Sequence, residues 1–424
     1  MTDELDSIER RRSLFIDAVR ENLTSRRGQY RGAQLANAGR HTGALNPAEF
    51  RALDKTNRLP EWVIAGIRTT ESAAIRDLSP IYTLHGGEII DRRNPILGLG
   101  TKAPPAFAGG MRKTPDVDVY ELSHADIYVH NFVQVVASPD GVIRQLSDNG
   151  AEDLWPIVQP IEPVMLHGKT LVLVVEGSAV LSHWLYDTLP RMHVAGLAGH
   201  PLSSFDHILV AAAHAGYHRE SLALLGLHDD KIVTRMARGV RYALDEAVFV
   251  SPVRERFIGG NWLYDYARDL FVGTSSASGP EKIFLSRSKA SRRRIVNEAA
   301  LQEIAIGMGY TVVYAEDYSV RQFASLLAGA KRFIGPHGAG HANIAFMKGP
   351  GGAVAELFGM HISTEYWSMS ATFGFDYFLL EQDPIETSRT ISAEISIPFL
   401  EKNGMDFSVA GDRFANLLRR METT

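Results

Sequence analysis

Histidine, aspartate and arginine recur in three short blocks whose surroundings would give them a common direction. In the first, Ser182-His183-Trp184-Leu185-Tyr186-Asp187-Thr188-Leu189-Pro190-Arg191 follows the apolar run Leu171-Val172-Leu173-Val174-Val175. If the block is helical, His183 and Asp187 share a face. A carboxylate so placed raises the basicity of an imidazole and fixes its tautomer, which suits taking a proton from a hydroxyl. The same spacing equally suits a histidine near a helix start, satisfied by a helical neighbour. In the second block, Leu285-Ser286-Arg287 ends an apolar run and Arg292-Arg293-Arg294-Ile295-Val296-Asn297-Glu298 leads into a helical pattern. Arg287 and Arg294 can aim their forks at one cleft, and such forks match phosphate oxygens. Arg292 and Arg293 read as a charged loop.

The third block is Arg332-Phe333-Ile334-Gly335-Pro336-His337-Gly338-Ala339-Gly340-His341-Ala342-Asn343. A short apolar strand feeds a glycine turn, and helical spacing resumes from Ala339 to Met347. Free N–H groups and the positive end of the helix dipole would then face an anion. Gly338 and Gly340 would let a phosphate or sugar approach the backbone, flanked by His337 and His341. Tight strand-helix packing is the competing reason for those glycines. A further strand, Ala353-Val354-Ala355-Glu356-Leu357-Phe358, carries one carboxylate. His337 and His341 lack the carboxylate and cysteine partners of a zinc helix, so no metal is expected. No Gly-x-Ser-x-Gly elbow occurs, and the glycines do not fit the dinucleotide fingerprint with its acidic residue about 20 positions on.

The elements that must position these blocks alternate. Strands at Leu171–Val175, His207–Val210, Lys231–Val233 and Val248–Val250 are separated by helices at Ser182–Leu197 and Arg219–Leu227, and Trp262–Val272 follows as a helix. That pattern predicts a parallel α/β layer. After the small, polar link Gly273–Pro280 it starts again, with strands at Ile283–Leu285 and Thr311–Tyr314 and helices at Asn297–Met308 and Val320–Ala328. Between Ile81 and Ile161 the signals are strands broken by turns, notably Ser138-Pro139-Asp140-Gly141, and predict an antiparallel region packed on the first α/β layer. The chain thus divides into an accessory helical segment at 1–80, an α/β domain with its β-region at 81–272, and a second α/β domain at 281–424. Two such layers leave a cleft, with ligands at the carboxyl ends of the strands.

At 424 residues the chain is long enough for two cores. A net charge of -5 argues against nucleic acid as a partner, and the absence of cysteine excludes disulfides, thiolate metal sites and a cysteine nucleophile. No apolar run reaches the roughly 20 residues of a membrane span, and no signal-peptide core follows Met1, so a cytoplasmic protein is expected. The first 80 residues interleave Arg10-Arg11-Arg12 and Arg26-Arg27 with Asp3, Glu4, Asp6, Glu9, Asp17 and Glu21. This predicts amphipathic helices with a solvated face and an oligomer contact. A peripheral contact with an anionic membrane is the alternative for the same arginines.

Taken in order, His-Trp-Leu-x-Asp-x-Leu-Pro-Arg (183–191), Leu-Ser-Arg (285–287), Arg-x-x-Asn-Glu (294–298), Gly-Pro-His-Gly-Ala-Gly (335–340) and Glu356 resemble glycosyltransferase family 61. Bacterial members are often described as capsular polysaccharide biosynthesis proteins. The resemblance spans about residues 120 to 380. It implies a GT-B fold, a nucleotide-sugar donor on the C-terminal domain, a glycan acceptor on the N-terminal side, and inverting transfer without metal or other cofactor. On that reading Asp187 or His183 is the base, and Trp184 and Arg191 lie on the acceptor side. Arg287, Arg294, Asn297, Glu298, His337, Gly338, Ala339, Gly340 and Asn343 surround the donor nucleotide, with Glu356 on the ribose hydroxyls. His341 departs from the family's usual leucine. A non-catalytic nucleotide-sugar-binding subunit and a Rossmann-type NAD(P) oxidoreductase are the rival readings.

Overall fold

The computed structural model describes residues 72–130, 133–147, 151–159, 161–175, 177–234, 240–273, 279–347, 349–382 and 405–423. The amphipathic helices expected near the N-terminus, and 274–278 of the link, lie outside them. The described chain enters through β1 (Ile75–Arg76), β2 (Tyr82–Leu84), β3 (Ile89–Arg92), β4 (Ile96–Leu97) and β5 (Gly110–Lys113). Next come β6 (Val117–His130), β7 (Val133–Ser138), β8 (Gly141–Ile143) and α1 (Ala151–Val158). β9 (Val164–Leu173) then leads into one helical segment. It comprises α2 (Leu181–His183), a π-helical turn (Trp184–Thr188) and α3 (Leu189–Leu197). β10 (His207–Val210), α4 (Gly216–Leu224), β11 (Ile232–Thr234), β12 (Val240–Val250) and α5 (Asn261–Phe271) complete this part.

These strands form one mixed sheet in the order β1-β8-β7-β6-β12-β9-β10-β11, with β2 also on β6. β12 is the seam, antiparallel to β6 and parallel to β9. The turn-rich region is therefore not a layer packed on the α/β part, as its sequence suggests, but the other half of the same sheet. A strand that pairs with both kinds of neighbour leaves no signature in its own side-chain pattern. Residues 72–80, expected to belong to the accessory segment, contribute β1, which pairs with β8.

The second sheet is parallel throughout. It is built from β13 (Lys282–Ser286), α6 (Glu298–Gly307), β14 (Thr311–Tyr314), α7 (Val320–Leu327), β15 (Arg332–Pro336) and a 3₁₀ helix (Ala339–Phe346). β16 (Ala353–Phe358), α8 (Glu365–Phe373), β17 (Asp376–Glu381) and α9 (Gly411–Glu422) follow. The order is β14-β13-β15-β16-β17-β4, so the direction of winding reverses between β13 and β15. Such a reversal opens a crevice at the strands' carboxyl ends. β4 comes from the N-terminal side of the chain and is pinned by Arg413, which donates to the Leu99 carbonyl at 2.8 Å. A boundary at 272 thus leaves one strand of the second sheet behind.

Alternation on the central strands explains how both faces are covered. Leu171 and Leu173 of β9, with Ile283 and Leu285 of β13, enter a core shared by the two sheets and filled by Trp184, Tyr264, Phe346 and Trp367. Phe284 points the other way, into a cluster closed by Phe414, Leu417 and Leu418 of α9. Side chains of period two on a strand buried on both faces read as a continuous apolar run, which is how these strands appear in the sequence.

Candidate functional site

The helical segment after β9 carries the first part of the site. Pro190 has no N–H to return to the preceding turn, and the helix widens there into its π turn, with the Leu189 N–H on the Trp184 carbonyl. His183 and Asp187 lie on the same side of that turn, and His183 Nδ1 is 2.7 Å from Asp187 Oδ2. The imidazole stays 30% exposed while the carboxylate is 17% exposed, so the ring is the more open of the two. No protein group bonds its Nε2 among the described residues. Gly177 makes room for it: its φ is +75°, and a Cβ there would stand 2.7 Å from the imidazole Cδ2.

Arg254 completes the pair. Its Nε donates to Asp187 Oδ1 at 2.9 Å and its Nη2 to Oδ2 at 2.6 Å, while Nη1 reaches Glu365 Oε1 at 3.2 Å. Burial alone would raise the Asp187 carboxyl, but the Arg254 charge and the His183 and Arg254 hydrogen bonds hold it well below the usual carboxylate range. For His183, burial favours the neutral ring. The Asp187 hydrogen bond and the charges of Asp187 and Glu365 outweigh that and hold it above 6.5. Asp187 is therefore a poor proton acceptor, and His183 the better one of the two.

Glu365 and Ser182 carry the site toward the second sheet. Ser182 Oγ donates to Glu365 Oε2 at 3.4 Å, and the next residue, Tyr366, lies with its ring 5.6 Å from that of His337. His337 directly follows β15 at the point of reversal. It stacks on Phe358 at 5.0 Å, and its Nδ1 lies 2.6 Å from Glu356 Oε1. Burial drives the Glu356 carboxyl up to about 7 and His337 down to about 3, which favours the neutral form of each. Tyr377 donates its hydroxyl to the other Glu356 oxygen at 2.5 Å.

Arg287 leaves the carboxyl end of β13 and lies over Gly338, so closely that a Cβ there would collide with its Nη1. Its Nε is buried with no hydrogen-bond partner among the described residues, and burial lowers its proton affinity. Beside it the 3₁₀ helix starts at Ala339. The Ala339 and Gly340 amides, at its first turn, have no acceptor within the helix. Arg293, set aside in the sequence as part of a charged loop, joins Arg287 in acting on His337, and its charge also reaches Glu356.

Several residues assigned from the sequence stand elsewhere. Arg294 is half exposed and spends Nε and Nη2 on Asp406 Oδ2, at 2.9 and 2.7 Å, so it is an anchor on the surface. Asn297 clamps the Val409 backbone from both sides. Glu298 is buried and accepts from Ser286 Oγ, from the Arg287 N–H at 3.2 Å and from Gln302, which orders the turn that carries Arg287. Asn343 is buried and donates to the Gly340 carbonyl at 2.9 Å. Glu356 is fully buried, each oxygen already in one hydrogen bond, so it does not stand open to ribose hydroxyls. Trp184 is fully buried too, its indole N–H on Ser221 Oγ at 2.7 Å, and so cannot touch an acceptor. Arg191 ties α3 to the Val250 carbonyl at 2.8 Å. Among the described residues no three His, Asp or Glu side chains converge as a metal set, and no helix is long and apolar enough to cross a membrane.

Residues 181–354 match the family model described as Glycosyltransferase 61. No curated protein matches the chain. The glycosyltransferase-61 match opens on the helical turn with His183 and closes in β16, so it includes Asp187, Arg254, Arg287, Arg293 and His337. A mixed α/β fold with parallel strands agrees with such a domain. Glu356 and Glu365 lie just beyond it.

His341 is fully buried between Phe333 and Tyr366, donating Nε2 to the Ala355 carbonyl at 3.3 Å. Its Nδ1 has no partner among the described residues, and burial lowers the ring to about 4. A folded-state value below the unfolded 6.5 means stability is present above pH 6.5 and lost as pH falls toward 4. His341→Leu should therefore stabilise the fold by about 1 kcal/mol at pH 7, by removing an unpaired acceptor. The gain should grow as pH falls from 6.5 toward 4, and urea titrations of both proteins across that window check it.

Proposed function

We propose that this chain is an inverting glycosyltransferase that moves a sugar from a nucleotide-sugar donor to a hydroxyl of a glycan acceptor. The observation that carries the reading is His183, tethered at Nδ1 to Asp187 while its ring stays open to solvent. As the acceptor oxygen attacks the anomeric carbon, Nε2 takes its proton and the bond from that carbon to the diphosphate breaks. The departing diphosphate gains negative charge. Arg287, Arg293 and the first-turn amides at Ala339 and Gly340 supply positive charge at the carboxyl ends of β13 and β15. Ser182, Glu365 and Tyr366 link the two sets.

On this reading the two sheets are the acceptor and donor layers of a GT-B arrangement, with arginine charge in the place a metal would take. Synthesis of a cell-surface polysaccharide such as a capsule, in the cytoplasm or at its membrane, is the setting we infer from the family resemblance. The test is a thermal-shift panel of nucleoside diphosphates, nucleotide sugars and NAD(P), with and without EDTA. A ligand at about 100 times its Kd should stabilise the folded state by about 2.7 kcal/mol. A shift with one nucleoside diphosphate, kept in EDTA, is expected. Response to NAD(P) alone would leave the oxidoreductase standing instead. Binding without transfer to any acceptor would leave a nucleotide-sugar-binding subunit.

A further inference from the structure

The geometry points to Arg254 as the positioning residue of the site: its fork holds both oxygens of Asp187 and so keeps His183 free to accept a proton. This rests on His183 being the base. Arg254 follows β12, whose carboxyl end lies beside that of β9, and its side chain is 1% exposed. All three guanidinium nitrogens are spent, Nε and Nη2 on Asp187 and Nη1 on Glu365. Tyr186 and Phe257 face it with their rings at 5.7 Å, and Tyr264 of α5 adds a phenol.

The charges around His183 come from its own helical segment, from the loop after β12 and from α8. Asp187 and Glu365 are negative, and Arg254 alone is a fixed positive charge among them. With Arg254 in place, Asp187 is neutralised by a group that never titrates, and a neutral His183 can donate Nδ1–H to it. Without Arg254, two buried carboxylates would have His183 as their nearest cation. The imidazole would then keep its proton and lose its capacity to accept one. An ammonium in the same place would supply charge but not the fork, since it offers no planar pair of donors to two oxygens.

The test is the titration of His183 in labelled protein, its NMR signal assigned by its loss in His183→Gln, beside the pH profile of transfer. In Arg254→Met the His183 midpoint should rise by about 1 pH unit or more, the scale of a nearby charge. The acidic limb of the rate profile should move up with it. An unchanged midpoint in folded Arg254→Met would overturn the proposal. Should that variant not fold, Arg254→Lys keeps the charge: its midpoint should stay near wild type while transfer falls about tenfold or more. Unchanged transfer in that variant would also overturn it. The titration needs no donor. A shifted midpoint in a protein that transfers no sugar would therefore sink the glycosyltransferase reading and leave Arg254 its role, while transfer with an unmoved midpoint sinks only the latter.

Discussion

His183→Gln should lower transfer by about 10²–10⁴-fold, the usual worth of a positioned general base, and leave nucleoside diphosphate affinity near wild type. Glutamine keeps an amide N–H that can reach Asp187, so the contact across the π turn survives while the titrating nitrogen goes. The groups proposed to hold the diphosphate, Arg287, Arg293 and the first turn of the 3₁₀ helix, belong to the second sheet, away from the helical segment that carries His183. Asp187→Asn should also slow transfer, but for a different reason. It removes the carboxylate that orients the ring and strips Arg254 of one of its two anionic partners, so this variant should melt earlier than His183→Gln. Transfer in the wild type should fall as pH drops through the His183 midpoint, which lies above 6.5, because the protonated ring cannot act as base. Calorimetry with the bound nucleoside diphosphate and initial rates across pH separate these effects. Full activity of His183→Gln would remove the imidazole from the mechanism.

The sequence made the elements legible where one strand or helix answers to its own pattern. β10, β14 and β16 stand where their apolar runs predict them, and α7 begins at Val320 as its spacing suggests. The His183-Asp187 contact was also legible, since four residues on a helical turn bring two side chains together whatever else the fold does. Two things were not. Which strands adjoin is a property of pairs, so the seam at β12 and the return of β4 to the second sheet leave no mark on either strand alone. Arg254 and Glu365 were missed for the same reason. Each is an isolated charge in its own stretch, and only the neighbouring ends of β12 and β9, with α8 against them, turn them into partners of Asp187 and Ser182. The arginine run shows the limit most sharply. Arg292, Arg293 and Arg294 are equivalent as letters. Yet Arg293, with its φ of +57°, is the one whose charge reaches His337, and Arg294 goes to Asp406.

That difference makes the arginines the second strong test. Arg287→Ala should weaken nucleoside diphosphate binding by about 1.5–3 kcal/mol, roughly 10–150-fold, the range for hydrogen bonds to a charged group. Arg287 lies against Gly338, beside the amides that begin the 3₁₀ helix, and its buried Nε is without a partner among the described residues, so an anion there would meet an N–H with no competing acceptor. The fold should tolerate the loss, because the one carbonyl that accepts from its fork, that of Arg292, belongs to an exposed residue and can turn to water. Arg294→Ala should change affinity by less than about 0.5 kcal/mol, since it removes a solvent-exposed pair with Asp406 and nothing near His337. Titration calorimetry on the two variants, with the same nucleoside diphosphate, gives the comparison directly. Equal losses would mean that Arg294 swings from Asp406 into the crevice when ligand binds. A loss at Arg294 alone would move the diphosphate away from Gly338 altogether, and with it the donor side of the site.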